Sequence, residues 1–415
     1  MPEKKSKSEL SPEDRKMHVN LALLSLAVMI DVLGFSIIIP LVPEYVRQGL
    51  HLSSVQDPRI GEYSGWLTAS YAFMQFLFAP FWGALSDRIG RKRILVGSLI
   101  GDAVFYTLFG LSAHSITGQF AARILAGIFS SASLSVAQAY AADITPPHLR
   151  AMGLGYLGAA FGVGFILGPA LGGLLGQFGL AVPLYVSAAI ALVNLVYIAL
   201  KLPEPVRAEA TAAATPTGSR FARMTQAVTG PVGFLYLLTF AVTFAFGNLE
   251  GTFTTYISQH FGYTNPKTAQ AVAGGVFAYI GVLIVVIQGG AIRPLVKRFG
   301  EANLVVVGIG LMALGFLVFP FAPLLSVLLI GPMLPIAIGS GLNSPALRAL
   351  ISRRATAQGA ALGLSASFDS LARATGPATA GYLYRNVGQT APYWCAGIVM
   401  SLCFVFALAR RREML

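Results

Sequence analysis

The sequence has few charged residues and almost no cysteine. Charged side chains make up 11% of the 415 residues, whereas soluble proteins carry about 25%. The two cysteines, Cys395 and Cys403, lie in one apolar stretch. Their spacing places them about two helical turns apart, which is too far for a disulfide. The composition therefore excludes a disulfide-stapled domain and argues against a soluble protein.

Motifs of the common enzyme classes are also missing. The sequence holds no glycine-rich phosphate loop, no nucleophile elbow and no cluster of metal ligands at a typical spacing. We therefore expect no catalytic residue, no metal site and no cofactor. The amino terminus lacks a short apolar stretch with a small-residue cleavage site, so we expect no cleavable signal peptide.

Long apolar runs fill most of the chain. Because about 20 helical residues cross a bilayer, such runs predict membrane-spanning helices. Twelve spans are predicted, at residues 18–43, 63–83, 94–113, 118–142, 151–176, 180–200, 231–258, 270–291, 302–320, 323–346, 358–383 and 391–409. The predicted fold is an all-α integral membrane protein with two six-helix bundles, at residues 18–200 and 231–409.

Polar segments flank and join the predicted bundles. Residues 1–17 and 410–415 are expected to be cytoplasmic tails, and residues 201–230, rich in Pro, Ala and Thr, a flexible cytoplasmic linker. Of the 29 Lys and Arg residues, 23 lie on the side that holds both termini and 4 on the other. This bias is typical of a cytoplasmic side. The net charge of +12 therefore reflects topology and lipid headgroups rather than nucleic-acid binding.

The two halves of the chain resemble each other. LALLSLAVMI at residues 21–30 matches LYLLTFAVTF at 235–244, DRIGR at 87–91 aligns with KRFGE at 297–301, and GPALGGLL at 168–175 aligns with GPATAGYL at 376–383. Repeated units of six spans around a midplane cavity are an architecture of transporters.

A charged stretch, GALSDRIGRKR at residues 83–93, joins the second and third spans. Gly83 and Gly90 favour a tight reversal between the helices. The charges indicate either an ordinary positive-inside cluster or a set of weak ion pairs that break and re-form. The charged members of this predicted gate motif are Asp87, Arg88, Arg91 and Lys92.

This stretch resembles the cytoplasmic loop signature of the major facilitator superfamily. Three further stretches agree with it: DVLGFSIIIPLVP from Asp31, AARILAGI around Arg123, and GVGFILGPALGG from Gly162. They resemble twelve-span drug/proton antiporters, above all the tetracycline/proton branch. The resemblance implies two rocking bundles, with Asp87 meeting span eleven when the cytoplasmic side is closed. Lys297 stands at the matching place of the second copy, which implies that the main lock lies in the first.

The fifth span carries glycine at every fourth position. Small residues at this spacing let helices approach closely, and the proline bends the helix. The resemblance implies that this face seals the two bundles, although simple tight packing fits it too. The members of this antiporter motif are Gly164, Gly168, Pro169, Gly172 and Gly173.

Charges inside the predicted spans need a reason, since each costs about 2.5–3.5 kcal/mol at the bilayer centre. Asp31 is a candidate proton carrier or a structural hydrogen-bonding group. Glu250 is a second proton site, a contact for cationic substrates or a packing group. Arg123 resembles the fourth-span arginine that communicates with the proton site, or it snorkels to the interface.

Further polar residues are candidates for the cavity. Asp102 is expected to point to a different face from the acid of the tetracycline carriers, which aligns with Phe105. Asp369 and Arg373 have the spacing of an i, i+4 ion pair. Gln138 and Asn248 either line the cavity or make packing hydrogen bonds.

The predicted function is secondary active transport by alternating access, most directly proton-coupled efflux of drug-like or amphipathic small molecules. The alternative is a carrier of one metabolite, such as a sugar, an organic anion or a lipid. Tetracycline itself is not assigned, because the eighth span lacks His and the ninth lacks an acid. The expected partners are substrate, protons and lipids, and a monomer in a bacterial inner membrane is expected.

Overall fold

The computed structural model describes residues 12–146, 149–205, 220–230, 232–355 and 358–414. Within these residues twelve helical segments are at least 18 residues long. In chain order they are α1 (Pro12–Ser36), α2 (Arg59–Ile89), α3 (Arg91–Leu111), α4 (Ile116–Ile144), α5 (Arg150–Leu175), α6 (Val182–Lys201), α7 (Gly233–His260), α8 (Pro266–Phe299), α9 (Glu301–Val318), α10 (Leu325–Arg354), α11 (Gln358–Asn386) and α12 (Ala391–Ala409).

Ten of these segments are long and apolar enough to cross a membrane. The exceptions are α2 and α11, the second helix of the first half and the fifth helix of the second half, which pack against each other across the boundary between the halves. Because each buries part of its surface against the other half, it needs fewer apolar residues. The predicted all-α membrane fold is therefore confirmed, whereas apolar length alone supports ten of the twelve predicted spans.

Each half of the chain has its own apolar core. In the first half, α1 packs on α5 and α6, and α2 and α3 pack on α4; in the second half, α7 packs on α11 and α12, and α9 packs on α10 and α12. Two pairs make most of the contact between the halves, α2 with α11 and α5 with α8, and α2 also contacts α7. These contacts define the boundary between the N-terminal and C-terminal bundles.

Two long segments contain wide π-helical turns. The turn in α8 covers Ile287–Ala291 and the turn in α10 covers Leu329–Met333. Each includes helix-weakening residues, Gly289 and Gly290 in the first and Pro332 in the second. The eighth span predicted from the apolar pattern ends at residue 291, whereas α8 continues to Phe299.

The reversal between α2 and α3 differs from the prediction. Gly90, with a φ of 115°, makes the turn alone, which a residue with a Cβ would adopt only under strain. Gly83 lies inside α2 with nothing within 4 Å of where its Cβ would be. The prediction that Gly83 helps form the reversal is therefore wrong, since the helix continues to Ile89.

The region predicted as a flexible linker is partly helical. Residues Arg220–Val228 form a short amphipathic helix whose Met224 is 5% exposed and packs into the core of the C-terminal bundle. Residues 206–219 of the predicted linker, and residues 1–11 of the predicted tail, lie outside the described residues. At the other end, Met414 is buried in the same core.

Candidate functional site

We call the side of the molecule that holds the Gly90 turn and the carboxyl end of α12 the basic side, and the other the opposite side. On the opposite side the two bundles contact each other through glycine residues. A Cβ on Gly173 of α5 would lie 3.1 Å from the Gly274 Cα of α8. A Cβ on Gly65 of α2 would lie 2.8 Å from the Gly381 Cα of α11. Only glycine permits backbones this close, so both boundaries are tightly packed.

The antiporter motif serves two boundaries rather than one. Gly164, Gly168 and Gly172 face the backbone and side chains of α1 within the same bundle, and the Ser36 hydroxyl donates to the Gly164 carbonyl at 3.1 Å. The adjacent ridge, with Pro169 and Gly173, faces Gly274 across the bundle boundary. The prediction that the every-fourth-residue face seals the bundles is therefore wrong. That face packs α1, and the neighbouring ridge makes the seal.

On the opposite side a polar network, which we call the outer clasp, ties the bundles together. Its centre is Gln259 of α7, whose Nε2 donates to the Val55 carbonyl at 2.9 Å. The Gln259 Oε1 accepts from the Tyr384 hydroxyl at 2.8 Å and from Gln389 at 3.1 Å.

Charged and polar residues on either side of Gln259 complete the outer clasp. Arg385 of α11 forms an ion pair with Glu62 of α2. The Lys267 ammonium donates to the Gln177 carbonyl oxygen at 2.9 Å. A hydrogen bond from Arg59 lowers the pKa of the neighbouring Asp57 below its ordinary value, so that acid stays ionised at neutral pH.

On the basic side each bundle closes on itself. Arg91 pairs with Asp87 at 2.6 Å and with Asp143 of α4 at 2.9 Å. Across the part of the chain that the structure describes, no hydrogen bond or ion pair joins the bundles here. Asp87 is 59% exposed and the residues just before α11, 356–357, lie outside the described ranges. The implied contact of Asp87 with span eleven stays a prediction.

The second copy keeps an ion pair at the matching place. Glu301 pairs with Arg353 of α10 at 2.9 Å. Glu301 aligns with Arg91 in the repeat, and Arg353 lies near the end of α10 as Asp143 lies near the end of α4. The charges of this pair are therefore exchanged between the two halves. Lys297, at the place of Asp87, forms no ion pair among the described residues, and the implied location of the main lock in the first copy stays a prediction. Of the remaining gate residues, Arg88 is exposed and the Lys92 backbone N–H donates to Glu204 at 3.3 Å.

Two carboxyl groups meet inside the N-terminal bundle. The Asp31 side chain of α1 lies beside the Asp102 carboxyl of α3 and the Ser133 hydroxyl of α4. Asp102 is fully buried, neither of its oxygens has a hydrogen-bond partner among the described residues, and no ion pair to either acid exists there. Asp31 also lines a small cavity beside Asn194. Because adjacent carboxylates repel each other in a buried site, ionising both acids at once is unfavourable, and a shared proton or another cation would relieve the repulsion.

Arg123 lies fully buried among aromatic rings. It is 1% exposed, and its guanidinium carbon is 4.9 Å from the ring centroid of Tyr71 and 5.7 Å from those of Phe35 and Phe109. None of its three guanidinium nitrogens has a hydrogen-bond partner within the described chain. Snorkelling to the interface is therefore wrong for this residue, which faces the interior of the bundle.

Glu250 of α7 faces this interior from the other bundle. It interacts electrostatically with Arg123 across the boundary and with Arg373 of its own bundle. The predicted Asp369–Arg373 ion pair is not formed. Asp369 accepts a hydrogen bond from Thr243 at 2.6 Å, and the Arg373 guanidinium stacks 4.4 Å from the ring centroid of Phe161 in the N-terminal bundle.

The two predicted amide candidates have different surroundings. Asn248 is fully buried and donates to the Phe244 carbonyl of its own helix at 3.0 Å, and its side-chain oxygen has no hydrogen-bond partner among the described residues. Gln138 is half-buried on α4. The structure thus brings Asp31 together with Asp102, and Arg123 with Glu250 and Arg373.

Comparison with known proteins agrees with this architecture. A family model described as Major Facilitator Superfamily matches residues 24–377. The chain belongs to the major facilitator superfamily. The tetracycline resistance protein, class C, of Escherichia coli is 32% identical over 392 residues, which cover 92% of this chain and 94% of the relative. Multidrug resistance protein 2 of Bacillus subtilis is 30% identical over 90% of both chains.

A solved structure of the same superfamily matches the whole fold. The human organic anion transporter MFSD10 (TETRAN) superimposes with a TM-score of 0.71 at 25% sequence identity, covering 96% of this chain and 100% of the other. The superfamily consists of transporters rather than enzymes. The chain is accordingly a multi-pass integral membrane protein that takes small-molecule substrates.

Proposed function

We propose that this protein is a secondary active transporter that exports amphipathic small molecules in exchange for protons. The observation that carries the proposal is the Asp31–Asp102 pair, two adjacent carboxyls, one half-buried and one fully buried, with no basic partner among the described residues. Such a pair can bind and release a proton without a cofactor. The proton gradient would therefore supply the energy for transport. The tetracycline and multidrug resistance relatives support the same function.

Alternating access follows from the two boundaries. The outer clasp closes the opposite side, while on the basic side each bundle is held by its own ion pairs. The excess of Lys and Arg assigns the basic side, with both termini, to the cytoplasm. This arrangement is therefore inward-facing, in a bacterial inner membrane. Since one chain holds both bundles, we expect the monomer to be the transport unit.

The test is transport by purified protein in proteoliposomes under an imposed pH gradient. Tetracycline and a lipophilic dye are offered to wild type, to Asp31→Asn and to Glu413→Gln, an exposed acid near the carboxyl terminus. We expect gradient-driven uptake in wild type and Glu413→Gln, and loss of at least nine-tenths of it in Asp31→Asn. Uptake that ignores both the gradient and Asp31→Asn would overturn proton coupling. A folded wild type that moves neither compound would favour the metabolite carrier.

A further inference from the structure

Three arginines follow the boundary between the bundles. Arg348 of α10 is exposed on the basic side, and its Nη1 lies 2.8 Å from where a Cβ on Gly158 of α5 would be. Arg373 comes next and is half-buried, and it interacts electrostatically with Asp369, Glu250 and Arg348. Arg123 is the most buried of the three and interacts electrostatically with Glu250. A negatively charged molecule that enters from the basic side therefore meets a series of guanidinium groups.

Arg373 presents donors that the protein leaves unused. Its guanidinium lies 4.4 Å from the ring centroid of Phe161 and 5.8 Å from that of Phe165. Stacking occupies the flat face of the group and leaves its N–H edge free. The described chain offers Arg373 no hydrogen-bond acceptor and no ion pair. A free guanidinium edge matches a carboxylate or a sulfonate, which accept two parallel hydrogen bonds.

Two acids share this region, but they do not neutralise it. Asp369 is engaged by Thr243 at 2.6 Å, and Glu250 is shared between Arg123 and Arg373. Among these five groups three guanidinium groups stand against two carboxylates, which leaves one positive charge as long as Asp31 and Asp102, the acids that act on Tyr71 beside Arg123, are not both ionised. A net positive charge among apolar side chains attracts anions more strongly than it would in water.

Apolar rings lie directly beside the free donors. The Phe165 centroid is 6.1 Å from that of Phe161, and 6.3 Å from those of Phe35 and Phe246. Phe246 belongs to the C-terminal bundle and the other three to the N-terminal bundle. The cluster therefore spans the boundary and suits the flat apolar body of a ligand.

We propose that this part of the boundary between the bundles selects amphipathic aromatic anions, with a carboxylate or sulfonate on Arg373 and the ring system against Phe161 and Phe165. This names the substrate class for the transport function proposed above and rests on it. It differs from the interpretation of Glu250 as a contact for cationic substrates. In this assignment Glu250 competes with the substrate for Arg373.

The test uses two dyes of similar shape and opposite charge. Fluorescein and pyronin Y share the flat xanthene ring, but fluorescein is an anion and pyronin Y a cation. Binding to the purified protein in lipid nanodiscs is measured by fluorescence anisotropy without a pH gradient, with empty nanodiscs as the blank. We expect wild type to bind fluorescein at least tenfold more tightly than pyronin Y, and more weakly as salt is added.

Substitutions of the basic residue Arg373 and of the acidic residue Glu250 should change fluorescein binding in opposite directions. Arg373→Gln should weaken fluorescein binding at least tenfold, Arg373→Lys should weaken it less, and Glu250→Gln should strengthen it. The matched control is Arg298→Gln, because Arg298 also stacks on a ring, that of Phe299 at 5.3 Å, but lies on the exposed part of α8. It should bind both dyes as wild type does. A thermal melt of each variant confirms folding.

The outcomes separate this inference from the proposed function. Tighter binding of pyronin Y, binding of neither dye, or an unchanged affinity for fluorescein in folded Arg373→Gln would each overturn the anion site. If fluorescein binds through Arg373 but transport ignores the pH gradient and Asp31→Asn, the anion site stands and proton antiport falls. If gradient-driven transport depends on Asp31 while fluorescein does not bind, the reverse holds.

Discussion

At the scale of single residues, Arg123 is the most costly side chain in the described structure. It is 1% exposed and none of its guanidinium nitrogens has a hydrogen-bond partner there. Unpaired buried donors cost about 1–3 kcal/mol, and charged ones cost more. A protein selected for stability alone would replace this residue, so its presence fits a group whose partner arrives during the transport cycle, either Glu250 or a substrate.

The first prediction separates function from stability at this position. Arg123→Met keeps the length and apolar stem of the side chain and removes the buried charge. We expect the melting temperature to stay level or rise, since apolar replacement of buried charges is neutral or stabilising by about 1–4 kcal/mol, while gradient-driven transport falls by at least nine-tenths. Arg123→Ala is the control, because the cavity it leaves should lower the melting temperature. Equal destabilisation by both changes would show that the arginine is structural.

Asp102 shows what sequence spacing leaves open. The position of Asp31 within the first span predicted a functional acid, but nothing in the spacing of Asp102 indicates which neighbour it faces. That depends on the rotation of α3 about its axis, which is set by packing against α4 and α6. The structure turns Asp102 towards Asp31, so the two acids form one site.

The second prediction tests whether Asp31 and Asp102 act as one unit. Asp102→Asn alone should slow proton-driven transport by about tenfold, within the coupling energies of groups in contact. The double variant Asp31→Asn/Asp102→Asn should be no slower than Asp31→Asn, because a shared proton site is lost once. Initial rates in proteoliposomes measure all three, with Glu413→Gln as the control acid. If the fold-reduction in rate of the double variant equals the product of the fold-reductions of the two single variants, Asp102 acts independently of Asp31.

At the scale of helices, the internal repeat produces equivalent close contacts at the two main boundaries between the bundles. The α5–α8 boundary at Gly173 and the α11–α2 boundary at Gly381 occupy matching places in the two copies. The sequence predicted the small residues but not the partner of each ridge. Residues four apart lie on one face of a helix and the next residue lies about 100° away. Only the arrangement of helices decides that one ridge meets α1 and the other meets α8.

The third prediction uses the exchanged charges of the two copies. Glu301→Arg should impair transport, because it places two basic groups together in the C-terminal bundle. The compensating Arg353→Glu should restore at least half of the wild-type rate by recreating the polarity of Arg91 and Asp143. The Arg353 side chain is exposed and the Glu301 side chain is 12% exposed, so Arg353→Glu alone should change the unfolding free energy by no more than about 1 kcal/mol, and Glu301→Arg should cost more. The measurement is initial transport rate and melting temperature for both singles and the double. If the folded double variant does not recover transport, the rate depends on which charge stands at each position and not only on the presence of an ion pair.

At the scale of the whole molecule, apolar runs and charge bias predicted the helices and the two bundles, because these follow from local chemistry. They did not predict which side is closed. The outer clasp joins Gln259 to Val55, Tyr384 and Gln389 across more than a hundred residues of sequence. No motif marks Gln259, an ordinary polar residue at the end of an apolar helix. Its role depends on the packing of the bundles, which a single sequence does not display.

The last prediction concerns the equilibrium between the two open states. Arg385→Glu should repel Glu62 and so break an ion pair of the outer clasp. Because this loss destabilises only the state in which the opposite side is closed, the population should shift towards the outward-open state. The reporter is Ser64→Cys, two residues after Glu62 in α2 and buried at 1% exposure, in a chain with Cys395→Ala and Cys403→Ala. Labelling by a membrane-impermeant maleimide from outside should rise about threefold or more, a change well within ordinary population shifts. Adding Glu62→Arg restores opposite charges and should return labelling to its starting level. Labelling that stays high in the double variant, or never rises in Arg385→Glu, would show that this ion pair does not hold the opposite side closed.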